Sequence, residues 1–66
     1  MTTEQIKTTI WMQLTDKQRT KACEGITIDS IGSYEGNFKF FNNILKVSNN
    51  STLINLAKKG LKFIPN

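Results

Sequence analysis

The chain contains no histidine. The side chain best suited to exchanging protons near neutral pH is therefore missing, and acid–base catalysis would fall to a strongly shifted carboxylate, lysine or cysteine. A chain of 66 residues has little interior in which to shift one. The five carboxylates, Glu4, Asp16, Glu24, Asp29 and Glu35, are scattered without the close pairing that metal or glycosidic chemistry uses. Cys23 is the only cysteine, which excludes an intrachain disulfide and a structural zinc site and leaves it as a helix-packing residue. Gly25, Gly32, Gly36 and Gly60 lack the spacing and the following Lys-Ser/Thr of a phosphate-binding loop. The sequence predicts a protein that is not an enzyme and uses no metal, cofactor or small-molecule substrate.

Long apolar runs are missing too. No stretch approaches the roughly 18 apolar residues of a membrane span, and the N-terminus has no apolar segment behind a charged start. The single proline, Pro65, lies at the end, and no repeat or linker divides the chain. One soluble cytoplasmic domain over residues 1–66, without a membrane partner, is expected. Its 38% hydrophobic and 21% charged residues place it with globular rather than disordered chains.

Among the charges present, eight lysines and Arg19 outweigh the five acids, for a net +4. Such a balance favours anionic partners, although the charges are dispersed rather than run together.

Residues 3–24 read as helical: Ile6, Ile10 and Leu14 recur at four-residue steps, and Thr2/Gln5 and Thr15/Gln18 offer capping boxes that break the segment near residue 15. Gly25 supplies the stop. The period then changes to two. Ile26-Thr27-Ile28 begins a first strand through Tyr34, and Asn37–Ser48 folds back on itself around an Asn42-Asn43 turn, pairing Phe41 with Ile44, Phe40 with Leu45 and Phe38 with Val47. Glu35-Gly36-Asn37 connects the two parts. Asn49-Asn50-Ser51 caps a short helix from Thr52 to Lys59, Gly60 ends it, and Leu61–Ile64 forms an extended tail. The expected fold is α+β: an N-terminal helix, a three-stranded antiparallel meander and a C-terminal helix.

That order is similar to double-stranded-RNA-binding domains, which place lysines at the start of the second helix. Here that start is Asn49-Asn50-Ser51-Thr52. Leu45–Ser48 followed by Thr52–Leu61 also resembles the turn and second helix of a helix-turn-helix, a likeness that requires residues 37–46 to be helical. It departs by an apparent extra residue before Leu53 and by Lys46 at the usual glycine.

With Ile26, Ile28, Tyr34, Phe38, Phe40, Leu45 and Val47 facing the core, the outer sheet face presents Ile31, Phe41 and Ile44 flanked by Lys39 and Lys46. An apolar patch rimmed by charge marks an interface. The function expected is non-catalytic protein binding through this face, to a target or to a second copy as a homodimer. Small inhibitor and accessory proteins of phages and mobile elements are of this kind, and the Asn-, Lys- and Ile-rich composition fits an AT-rich genome. The alternative is RNA or DNA binding, with Lys39, Lys46, Lys58, Lys59 and Lys62 meeting phosphates.

Overall fold

The computed structural model describes residues 2–64, which form helices without a strand among them. In chain order these are α1 (Thr3–Met12), α2 (Asp16–Ala22), a 3-10 turn (Ile28–Ser30), α3 (Tyr34–Val47) and α4 (Ser51–Phe63). The expected α+β meander is therefore replaced by an all-helical domain.

The helix starts follow the local chemistry of their caps. Thr2 Oγ1 accepts from the Gln5 N–H at 3.2 Å while Gln5 Oε1 accepts from the Thr2 N–H at 2.8 Å. Thr15 and Gln18 repeat the exchange at 3.2 and 2.9 Å, so the first helical segment does break near residue 15. Asn50 Oδ1 accepts from the N–H groups of Thr52 (2.8 Å) and Leu53 (3.4 Å) at the start of α4. Replacing Asn50 by alanine is expected to cost about 1 kcal/mol, measured as a lower urea midpoint with an unchanged denaturant slope.

The centre of the chain obeys the helical period instead of the two-residue one. Asn37, Phe40, Phe41 and Ile44 are all buried in α3, the i, i+3, i+4, i+7 spacing of a helix with one apolar face. Phe41 and Ile44, read as outer-face residues, are fully buried, whereas the expected core residues Ile28, Tyr34 and Phe38 are 88%, 59% and 46% exposed. Asn42 and Asn43 make no turn. Asn42 Nδ2 donates back to the Phe38 carbonyl at 3.0 Å, and Asn43 Nδ2 donates to the carbonyls of Ala22 (2.9 Å) and Glu24 (3.0 Å), tying α3 to the end of α2.

The expected first strand is a tight connection. The Ser30 N–H donates to the Thr27 carbonyl at 3.0 Å, closing the 3-10 turn, the Thr27 N–H donates back to Ser30 Oγ at 3.0 Å, and Gly32 at φ +83° swings the chain into α3. Gly36, read as a loop residue, lies in the first turn of α3, where a Cβ would run into the Ser30 carbonyl. Nor does Gly60 stop α4. The helix continues to Phe63, and the Phe41 ring occupies the space a Cβ would take, 2.5 Å from that position. Leu61–Phe63 are consequently helical, not an extended tail.

The core joins Ile6, Ile10 and Leu14 to Phe40, Phe41 and Ile44 of α3, Leu53 and Ala57 of α4, and Ala22 of α2. Helix α4 packs on both α1 and α3, and α2 packs on α3. With no strands, the likeness to double-stranded-RNA-binding domains lapses. Residues 37–46 are helical, the condition of the other resemblance, and Ser48, Asn49 and Asn50 join α3 to α4. No helix among the described residues is long and apolar enough to cross a membrane.

Candidate functional site

The expected site residues are not brought together. Phe41 and Ile44 are core, and no sheet face exists to carry them. Lys39 is engaged in the fold: its ammonium donates to the Gly25 carbonyl at 2.9 Å and lies 3.2 Å from Glu35. Lys46 is exposed and borders a hollow with Lys21, Glu24, Asn43 and Val47. Only Ile31 of the apolar trio is on the surface, 65% exposed.

Around Ile31 the helices leave a different feature. A groove of about 200 Å3 is lined by Lys7, Trp11, Cys23, Ile26, Ile31, Gly32, Gly36 and Phe40. Its geometry follows from the local structure already described. Gly36 lets the start of α3 lie against the 3-10 turn, which sets Ile31 at one lip, and α1 supplies Trp11. Trp11 packs on Phe40 with ring centroids 6.4 Å apart. The Arg19 guanidinium lies 5.0 Å from the centre of the indole ring, and its Nε donates to the Trp11 carbonyl at 3.1 Å. A cation over the ring face and a hydrogen bond to its backbone thus hold Trp11 in place while it remains 36% exposed.

Cys23, expected inside a helix interface, is instead an exposed C-cap residue of α2 bordering this groove. On the stretch of chain that includes Ile31, Ile28, Tyr34 and Phe38 are also exposed, the last two stacked with rings 6.1 Å apart and 5° from parallel. Trp11 could have been singled out in the sequence, because it stands beside the Ile6/Ile10/Leu14 stripe and not on it. The sequence does mark Ile31 as a site residue, but beside Phe41 and Ile44 on a sheet face; its place at this groove depends instead on the fit of Gly36 against Ser30.

Lys58, Lys59 and Lys62 gather on the outer side of α4 around a hollow of about 700 Å3 shared with Asn55 and Phe63. Among the described residues, no three His, Cys, Asp or Glu side chains form a group that could hold a metal ion. The chain matches no protein-family model, and no curated protein or solved structure is significantly similar to it.

Proposed function

We propose that the protein is a non-catalytic binding domain whose groove receives an apolar anchor from an acidic protein partner. The groove is the observation that carries this reading. At about 200 Å3 it is smaller than the roughly 300–1,000 Å3 of typical small-molecule sites, but it suits one or two inserted side chains. Its exposed edges are Trp11 and Ile31, and aromatic residues are enriched where interfaces form. Charge selects the kind of partner. Lys7 lines the groove and Arg19 covers the Trp11 ring, each within ion-pair distance of a carboxylate on its own helix, so it is the whole molecule, at +4, that attracts an acidic protein and repels a second copy. Such a domain acts by occupying its target, as an inhibitor or accessory subunit does.

Trp11 is the only tryptophan, so its emission reports directly on the groove. Titration with anilinonaphthalene sulfonate, an anionic probe of exposed apolar surface, should change that emission. Ile31→Glu should weaken probe binding about tenfold, which is about 1.4 kcal/mol, and leave far-UV circular dichroism unchanged. An acidic protein captured from nuclease-treated lysate by the wild type and lost by Ile31→Glu supports the reading. Equal capture by both rejects it. A sedimenting dimer that Ile31→Glu dissociates would reassign the groove to self-association.

A further inference from the structure

All five carboxylates lie in residues 1–35, together with Lys7, Lys17, Arg19 and Lys21, for a net −1; residues 36–66 hold five lysines and no carboxylate, for a net +5. The positive half ends in α4. On that helix Ser51, Thr52, Asn55, Lys58, Lys59 and Lys62 are all exposed, and at about 3.6 residues per turn they fall within roughly a third of the helix circumference. The opposite side, Leu53, Ala57 and Gly60, is buried. Among the described residues no carboxylate lies within ion-pair distance of Lys58, Lys59 or Lys62, unlike Lys7, Arg19 and Lys39. The result is an acid-free polar stripe, hydroxyl and amide groups toward its N-terminal end and ammonium groups toward its C-terminal end.

We infer that this face of α4 is a docking surface for B-form duplex DNA, separate from the apolar groove, with which it shares no lining residue. Three lysines without a carboxylate partner among the described residues, beside hydrogen-bonding side chains, complement a phosphate backbone next to base edges. The shape of the face selects among polyanions. A convex helix of 13 residues, about 20 Å long, fits the roughly 12 Å wide major groove of B-form DNA, whereas the deep, narrow major groove of an RNA duplex excludes it. Single strands are bound on aromatic platforms, and Phe63 is the only aromatic residue at this face. A lipid surface would call for an apolar face to insert, and the outward side here is polar.

Fluorescence anisotropy with a labelled DNA duplex of about two turns tests the inference. Three phosphate contacts give a salt slope of about −2.7 in log–log form, a loss of about 40-fold between about 50 and 200 mM salt. Lys58→Gln with Lys62→Gln should reduce the slope to about −0.9 and weaken binding at least about tenfold at the lower salt. Lys17→Gln with Lys21→Gln removes the same net charge from the other half and should leave the slope unchanged. Circular dichroism should show both double variants folded, since glutamine is as good a helix former as lysine. Equal losses in the two variants would overturn the inference by reducing it to net charge. So would absence of duplex binding at about 50 mM salt, where phosphate contacts are strong, or equal or tighter binding of single-stranded DNA or of an RNA duplex.

Discussion

Phe41→Ala is expected to leave the domain largely unfolded in water, with most of its far-UV helical signal lost. The Phe41 ring is fully buried, stands edge-on to Phe40 with centroids 5.6 Å apart and fills the notch at Gly60. It is therefore where α3 is keyed into α4. Truncating a buried phenylalanine costs about 3–5 kcal/mol, because the transfer energy is lost and a cavity remains. A core in a chain this short rarely supplies more than about 3–5 kcal/mol in total. The two quantities are comparable, so a variant that melts with the wild-type midpoint would show that α3 and α4 are held together elsewhere. The helix could refill the notch only by bringing the backbones closer, and α4 is already fixed against α1.

Gly36→Ala is expected to destabilise the domain by about 1–3 kcal/mol, even though alanine is favoured over glycine by about 1 kcal/mol in a helix interior. The added methyl would meet the backbone carbonyl of Ser30, which cannot rotate aside as a side chain can. That carbonyl also accepts from the Ser33 N–H at 3.0 Å and from Ser33 Oγ at 2.6 Å. Ser33 Oγ in turn accepts from the Gly36 N–H at 3.1 Å, capping α3. Displacing Ser30 would therefore disturb the turn, the cap and the lip of the groove together. A loss of about 2 kcal/mol in a domain of this size lowers the melting temperature by roughly 8–16 °C. Probe binding at Trp11 should weaken in the same variant. A melting temperature at or above the wild-type value would show that the 3-10 turn yields without cost.

Features fixed by neighbours three or four residues apart were legible in the sequence. Thr2/Gln5, Thr15/Gln18 and Asn50 each cap the helix they were expected to cap, because donor and acceptor are both local. The centre was not legible. Phe38-Lys39-Phe40 and Leu45-Lys46-Val47 alternate at period two and are rich in residues that favour strands, a preference that packing readily overrides. The same stretch places Phe40, Phe41 and Ile44 on one helical face, and that face was the one the core could bury. Asn43 looked like a turn residue because its hydrogen-bond acceptors, Ala22 and Glu24, lie about twenty residues away. Gly60 looked like a terminator because the ring that makes a glycine necessary there belongs to another helix. Of the site residues, Lys58, Lys59 and Lys62 do share a surface, while the Ile31/Phe41/Ile44 face dissolved with the sheet. The concentration of acids in residues 1–35 was readable from the sequence, but dispersal along the chain concealed it.

Among the described residues each ion pair closes within its own helix: Glu4–Lys7 in α1, Asp16–Arg19 in α2 and Glu35–Lys39 in α3. None of these pairs joins two helices, so the placement of helices against one another rests on apolar burial and on neutral or single-charge hydrogen bonds. Exposed pairs of this kind contribute at most about 1 kcal/mol and are screened by salt. Ionic strength is therefore nearly decoupled from the tertiary structure while acting steeply on any phosphate contact made by α4. If α4 docks on DNA as inferred, salt would strip the domain from the duplex and leave it folded, so capture and release could be cycled without a refolding step.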